Sequence, residues 1–187
     1  MSAIVQAGAG ALVSNASLIR RVYLPREIFV LSQVGSNVVV YLLNLVAVIP
    51  FMIYYEVMPG WRMIYLPLAV LLMVSFSTGL ALVAACANAV YRDVGYVIRV
   101  MVRLLFYGTP TIYPLAMVRE AVPDWVYEIY LLNPITIYIA MVRSGVMHQP
   151  MPFEARHAIV ASVIAVFALF GGGLLFTRWE SRAVKYL

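Results

Sequence analysis

Residues 15–27 read NASLIRRVYLPRE and stand directly before a long apolar run. Arg20, Arg21 and Arg26 fall within this stretch, and Pro25 interrupts it. Nearly everything that follows is apolar enough to lie in a membrane, so these arginines indicate which side of the membrane is cytoplasmic. The same stretch is the best candidate for contact with a soluble partner. It therefore sets the orientation of the whole fold.

A short interfacial helix is the local structure that this stretch predicts. Asn15 and Ser17 are residues whose side chains can accept hydrogen bonds from the first N–H groups of a helix. Pro25 lacks an N–H donor and ends that helix or begins the next one. The apolar residues lie at helical spacing opposite Arg20 and Arg21, an arrangement typical of a helix at the acyl boundary. These apolar residues are Leu18, Ile19, Val22 and Tyr23.

The composition is that of a membrane protein that crosses the bilayer several times. Hydrophobic residues make up 64% of the chain and charged residues 11%, and the mean hydropathy is +0.93. Soluble domains have about 45–50% apolar and about 25% charged residues. The net charge of +5 is best explained by basic residues retained on cytoplasmic loops. With Cys86 as the single cysteine, neither a disulfide framework nor a cysteine metal site can form.

We predict an all-α integral membrane protein whose 187 residues form a single transmembrane domain. About four transmembrane helices are expected, at approximately 28–54, 63–90, 94–117 and 157–176. Pro50 should kink the first span, and the Pro59-Gly60 pair should break the chain before the second. The second span carries small residues every four positions, which allows another helix to approach closely. These are Ser77, Ala81, Ala85 and Ala89.

The third helix carries charge, and the segment after it is rich in proline. Tyr96, Arg99, Arg103 and Tyr107 lie on one face at helical spacing. The arginines either extend to the cytoplasmic interface or contact an anionic substrate. After Gly108-Thr109-Pro110 no clean span fits, and short helices at about 121–131 and 135–147 are expected, partly embedded in the outer leaflet.

Basic residues are distributed unevenly between the two sides of this arrangement. The side of the opening stretch has nine: Arg20, Arg21, Arg26, Arg92, Arg99, Arg103, Arg178, Arg182 and Lys185. The other side has four, together with five acidic residues: Arg62, Arg119, Arg143 and Arg156, with Glu56, Glu120, Asp124, Glu128 and Glu154. This bias places the first group in the cytoplasm. Four crossings return both termini to the cytoplasmic side.

No catalytic, cofactor-binding or metal-binding site is expected. The sequence has no GxxxxGK[ST] loop and no HExxH motif. His148 and His157 are interpreted as solvated histidines of an outer loop. Glu27 and Asp93 each adjoin an arginine, which favours local ion pairing over acid–base catalysis. Glu120, Asp124 and Glu128 are four residues apart and are expected to form one solvated helix face.

Three blocks of sequence, in this order, resemble the ABC type-2 transporter permeases. They are NASLIRRVYLPREIFVLS (15–32), VYRDVGYVIRVMVRLLFYGTPTIYP (90–114) and LLNPITIYIAMVRSGVM (131–147). With the helices between them they cover nearly the whole chain. The resemblance is to the group that exports lipid-linked polysaccharides such as O-antigen, wall galactan, teichoic acid and capsule.

The resemblance implies a permease subunit of the cytoplasmic membrane that forms a homodimer and binds a separate ABC ATPase subunit. ATP would be bound by that partner, and this chain would hold no cofactor. The substrate would be a lipid-linked glycan, with membrane lipid as a further contact and no nucleic acid. Two sets of residues match the family's ATPase-contact positions: Arg20, Arg21, Pro25, Arg26 and Glu27 in the first, and Tyr91, Arg92 and Asp93 in the second. Residues 108–147 match the outer re-entrant helices that line the exit of the pathway.

Relative to that family, the chain starts at what would be the end of the second span. It is expected to lack the N-terminal amphipathic helix and the first two spans. Residues 1–13 are interpreted either as a flexible N-terminus or as the end of a preceding helix. A drug or small-lipid exporter of the same superfamily, and a non-transporting membrane scaffold or remnant, are the alternative functions.

A possible translocation path includes Arg99, Arg103, Tyr107 and Tyr113. Tyrosines in this part of the chain either stack on sugar rings or form an aromatic belt at the membrane interface. The tyrosines concerned are Tyr107, Tyr113, Tyr127, Tyr130 and Tyr138.

Overall fold

The computed structural model describes residues 1–21, 24–56, 60–147 and 150–183. Within these residues the regular structure is entirely helical. The α-helices, in chain order, are α1 (Ser2–Ser14), α2 (Ala16–Ile19), α3 (Glu27–Val46), α4 (Ile49–Tyr54), α5 (Tyr65–Val90), α6 (Val94–Tyr107), α7 (Leu115–Ala121), α8 (Asp124–Leu131), α9 (Pro134–Met147) and α10 (Ala155–Ala183). A 3₁₀ turn, Trp61–Ile64, precedes α5. The chain is an all-α membrane protein, as predicted.

Three helical runs among the described residues are long and apolar enough to cross a membrane: Glu27–Tyr54, Trp61–Val90 and Ala155–Ala183. The predicted segments 28–54, 63–90 and 157–176 lie within them. The first run is interrupted where α3 ends at Val46, four residues before Pro50. A proline ring clashes with the carbonyl four residues earlier, which explains this position of the break. Pro59 lies outside the described residues.

The predicted third span, 94–117, is not one helix. α6 ends at Tyr107 after 14 residues, and α7 begins only at Leu115. Gly108 is a poor helix former, and Pro110 disfavours the helical conformation at Thr109. The short helices expected at 121–131 and 135–147 are confirmed as α8 and α9, which meet at an angle of 86°. Their depth in a membrane stays a prediction.

The chain packs as two compact units, and the first comprises Met1–Leu43, Val74–Arg103 and Val166–Leu187. α1 is a buried helix in this unit, with Ile4 2% and Leu12 0% exposed. The predicted small-residue stripe of α5 is buried, and a Cβ added at Gly8 of α1 would lie 2.6 Å from Ala81 Cβ. α1 and α5 therefore pack closely through small residues. α10 contributes Phe176 to the same core.

α5 and α10 touch backbone to backbone within the first unit. A Cβ added at Gly172 would fall on the main chain of Gly79, 2.7 Å from its Cα, and one added at Gly79 would fall on the main chain of Ala168. Gly171 and Gly173 have open space instead. Only the middle glycine of the 171–173 run is therefore required by packing.

The second unit comprises Asn44–Met73 and Leu104–Ala165, and α9 is its central helix. Asn133 Oδ1 accepts a hydrogen bond from the Ile135 N–H at 3.1 Å, with Pro134 in the first turn, a favourable helix start. Tyr138 is fully buried, and its hydroxyl donates to the Ala161 carbonyl at 2.7 Å. This bond fixes α9 against α10 within the unit.

Candidate functional site

The charged end of the first unit contains the residues that were predicted to contact an ATPase. We use this name for residues 15–27 together with the 91–93 turn between α5 and α6. Ile19 and Val90 pack against one core cluster, which joins the two parts. Most of the predicted residues are exposed: Arg20, Arg21, Pro25, Glu27, Tyr91, Arg92 and Asp93. The structure therefore exposes most of the predicted set on the first unit, and its role stays a prediction.

Local details of this end differ from the sequence expectations. α2 has only four residues, and Arg20 and Arg21 lie in the turn after it. Asn15 Nδ2 donates to the Ala11 carbonyl at 2.8 Å, so its side chain closes α1 instead of capping α2. Ser17 lies inside α2 and is not its cap. Val22 and Tyr23 lie outside the described residues.

Arg26 pairs with a distant acid. Its Nη1 lies 3.9 Å from Oε1 of Glu180 near the end of α10. The sequence suggested that Arg26 would pair with its neighbour Glu27, whereas the structure pairs it with Glu180. The observed pair connects the start of α3 to the end of α10.

Asn88 holds the 91–93 turn in place, and the sequence analysis missed it. Its Nδ2 donates to the Ala9 carbonyl of α1 at 2.9 Å, and its Oδ1 accepts from the Gly95 N–H of α6 at 2.8 Å. A Cβ at Gly95 would lie 2.7 Å from Oδ1, so glycine permits this approach. The feature of the sequence that could have revealed Asn88 is its position as a polar amide in an apolar helix, one turn before the 91–93 turn.

The predicted polar face of α6 is exposed along the helix. Tyr96 and Tyr107 are each 65% exposed, and Arg99 and Arg103 are exposed between them. The Arg99 guanidinium carbon lies 5.7 Å from the centre of the Tyr96 ring. This geometry is compatible with both interpretations of the arginines, so a role in translocation stays a prediction.

Three carbonyls of the 108–114 segment accept hydrogen bonds from one side chain, that of Arg143. Arg143 Nη1 donates to Tyr113 O at 3.1 Å, and its Nη2 donates to Pro110 O and Thr111 O at 3.3 Å and 3.4 Å. Thr109 Oγ1 donates to Phe106 O at 3.2 Å. Irregular backbone at membrane depth persists only where such partners exist. We call this set of contacts the Arg143 clamp.

Tyr113 continues the same network. Its hydroxyl donates to the Tyr107 carbonyl at 3.1 Å and lies 3.0 Å from the Tyr130 hydroxyl. Since the Tyr113 proton is used toward Tyr107, Tyr130 is the donor to Tyr113. The predicted pair Tyr107 and Tyr113 is therefore brought together, through a backbone carbonyl of one and the side chain of the other.

The five tyrosines do not form one stacking surface. Tyr127 and Tyr138 are 7% and 0% exposed, and the Tyr127 hydroxyl donates to the Pro152 carbonyl at 3.0 Å. Their rings belong to the core of the second unit and have no open face for a sugar. Tyr107 alone among the five is largely exposed in the described chain.

His157 is buried, which corrects its interpretation as a solvated loop histidine. Its side chain is 6% exposed, and Nε2 lies 3.2 Å from Oε2 of Glu128. Arg156 donates to the other oxygen, Oε1, at 3.1 Å, and its Nε donates to Glu154 Oε2 at 2.9 Å. Their exposed positions keep the arginine pairs weak individually. His148 lies outside the described residues.

The three acids do not share one helix face either. Glu120 belongs to α7, whereas Asp124 and Glu128 belong to α8. The break at Val122-Pro123 separates the helices, because proline disfavours the helical conformation in the residue before it.

Cavities are present in the described part of the second unit. One of about 270 Å³ is lined mainly by apolar residues and prolines around Arg143. Another, of about 520 Å³, lies between α7, α8 and residues 151–157, and we call it the polar cleft. Among the described residues there is no group of three or more histidine, cysteine or acidic side chains that could hold a metal ion.

Comparison with known proteins is consistent with this geometry. The chain is 24% identical over 186 residues to an O-antigen export system permease protein, RfbA, of Myxococcus xanthus, covering 99% of this chain and 69% of the relative. It is 25% identical over 145 residues to RfbA of Klebsiella pneumoniae, covering 77% of this chain and 54% of the relative. Residues 17–147 match the family model described as ABC-2 type transporter. The chain therefore belongs to the ABC-2 type transporter family.

Proposed function

We propose that the chain is the permease subunit of an ABC exporter that moves a lipid-linked polysaccharide outward across the cytoplasmic membrane. The observation that carries this proposal is the match of residues 17–147 to a transporter family, together with relatives named as O-antigen export permeases. The permease forms a homodimer, has no ATPase site of its own, and is powered by a separate ABC ATPase subunit that binds ATP.

The charged end of the first unit is the proposed docking surface for that ATPase. Its support is the exposure of Arg20, Arg21 and Arg92 at one end of a unit whose interior is apolar. Asn88 connects the turn to α1 and α6, so a force applied at the turn reaches both helices. ATP-driven closure of the ATPase dimer would use this connection.

In the proposed orientation the charged end and the last turn of α10 are cytoplasmic, in agreement with the positive-inside rule. The three long helical runs alone would leave these two places on opposite sides. The region from α6 to α7 is the proposed additional crossing. α6 has 14 residues and is about 21 Å long, short of the ~30 Å hydrocarbon core. The Arg143 clamp supports the irregular remainder.

Export is the direct test of the proposed function. In host cells from which the gene has been deleted, lipid-linked glycan should accumulate on the cytoplasmic side and be absent from the surface. Wild-type protein should restore the surface glycan, measured with a lectin or antibody on intact cells. Normal surface glycan in the deletion strain, with a normal lipid-linked pool, would refute the proposal.

A further inference from the structure

The polar cleft is bounded by residues from three parts of the second unit. Arg119 comes from α7, Asp124 and Glu128 come from α8, and Glu154 and His157 come from the start of α10 and the residues before it. Its volume of about 520 Å³ falls within the range of about 300–1,000 Å³ for small-ligand sites. None of its residues was among the four named for the translocation path, although those of α7 and α8 fall within 108–147, the segment that the resemblance assigns to the exit of the pathway.

One wall of the cleft is held by three linked contacts. Both oxygens of Glu128 have partners, Arg156 at 3.1 Å and His157 at 3.2 Å. Arg156 also donates to Glu154 at 2.9 Å. His157 is 6% exposed, so this anchor lies in the body of the unit while the Glu128 carboxylate stays half exposed. The acceptor atoms of this wall are therefore fixed before any ligand arrives, which reduces the entropy cost of binding.

The rest of the lining combines an acid, a base and an aromatic support. The Arg119 guanidinium carbon lies 5.9 Å from the centre of the Tyr127 ring, and both Arg119 and Asp124 are exposed. Tyr127 is itself fixed by its bond to the Pro152 carbonyl. Phe153 adds an apolar ring to the lining. The cleft thus presents donors, acceptors and an apolar surface together.

The charges in the cleft select a class of ligand. Three carboxylates and one guanidinium, that of Arg119, line the cleft, and Arg156 outside the lining pairs with Glu128 and Glu154. Acidic groups therefore outnumber basic ones, and a phosphate or another strong anion would meet carboxylates wherever it approached an arginine. The described residues contain no metal-binding group. A neutral ligand that is rich in hydroxyl groups fits, because each hydroxyl can donate to a carboxylate and accept from a guanidinium.

We propose that the polar cleft is a binding subsite for a neutral, hydroxyl-rich segment of a glycan, on the outer side of the membrane. This inference rests on the proposed function, which supplies a glycan at that side. The segment is held by Asp124 and Arg119 against the fixed Glu128 wall, after it has crossed the membrane.

The test measures binding without transport. The purified full chain in detergent is titrated with neutral manno-, galacto- and gluco-oligosaccharides and with an oligouronate, and binding is followed by saturation-transfer NMR. Asp124→Asn and Arg119→Gln should each weaken binding of the neutral oligosaccharide that binds wild type, by about tenfold, since each loses hydrogen bonds to a charged group. Glu120→Gln on α7, outside the cleft, is the matched control and should bind like wild type.

The outcomes separate this site from the proposed function. Equal binding by Asp124→Asn, Arg119→Gln and wild type overturns the site, and so does the absence of any neutral oligosaccharide bound to wild type. Preference for the oligouronate overturns the neutral class. Export by the same variants is measured separately in cells, so a chain that exports glycan but binds none refutes the cleft and leaves export intact. Both test variants keep Glu128 and its partners, which avoids a folding defect at the anchor.

Discussion

Arg143 donates to three carbonyls of one backbone turn, those of Pro110, Thr111 and Tyr113. The planar guanidinium presents several donors in a fixed fork, whereas a lysine ammonium is a compact point charge. We therefore expect Arg143→Lys to leave at least one of these carbonyls without a partner. Arg143→Met should leave all three, at a cost of about 3 kcal/mol in stability.

Thermal unfolding of the purified protein measures this difference. Arg103→Lys is the control, because Arg103 is an exposed arginine of α6. Unchanged stability of Arg143→Met would mean that water or lipid headgroups satisfy these carbonyls instead.

Glycine packing gives a second prediction at the residue scale. Gly172→Ala should destabilise the protein strongly, because the added methyl group meets the Gly79 backbone, which cannot rotate away. Gly171→Ala and Gly173→Ala should be neutral or slightly stabilising, since both sites are open and alanine is the better helix former. Thermal unfolding of the three single variants in parallel checks this order. Equal effects at all three positions would contradict the backbone contact.

At the scale of elements, the charged end of the first unit carries the proposed ATPase contact. Charge reversal of Arg21 and Arg92 together should weaken co-purification of the ABC ATPase, since both side chains are exposed at the charged end. Arg26 is left unchanged because its reversal would also repel Glu180 inside the protein. Arg178→Glu, an exposed residue of α10 on the same proposed side, controls for altered topology. Undiminished co-purification with the double variant would exclude these residues from the contact.

The end of α6 supplies a further prediction that separates two tyrosines. The Tyr113 hydroxyl bonds to a backbone carbonyl and to Tyr130, so Tyr113→Phe should already lower export by loosening the turn. Tyr107 contributes only its backbone carbonyl to this turn, and its ring is exposed. If the ring stacks on sugar, Tyr107→Phe should keep full export and Tyr107→Ala should lose export. Surface glycan on cells that express each variant at equal level is the readout. Full export by Tyr107→Ala would exclude sugar stacking at this ring.

At the scale of the whole molecule, the proposed orientation can be tested with added cysteines. Cys86 is the only cysteine in the sequence and is 1% exposed, so the wild-type chain should resist labelling. In intact cells a membrane-impermeant maleimide should label Glu154→Cys and Trp125→Cys, which are exposed positions of the second unit. Arg92→Cys should be labelled only after the cells are opened. Labelling of Arg92→Cys in intact cells, with the other two variants labelled only after the cells are opened, would show that the topology is the opposite of the proposed one.

The sequence predicted the long helices and the short outer pair because apolar length and proline positions are local properties. Its assignment of residues to the charged end came from a resemblance in order and spacing and stays a prediction. It missed Asn88, Arg143 and the burial of His157, because each acts on a partner distant in sequence: Ala9, the 110–113 carbonyls and Glu128. In a sequence, a buried polar side chain cannot be told from a solvated one until its hydrogen-bond partner is known.

The Arg143 clamp also bears on the order in which this protein is made. α6 and the turn after it are synthesised before Arg143, which lies 30 residues after Tyr113. Until then α6 is a short helix that carries two arginines, and the carbonyls after it have no guanidinium to bind. In the proposed orientation this crossing is therefore incomplete when it is synthesised, and the Arg143 clamp can form only after α9 has been made.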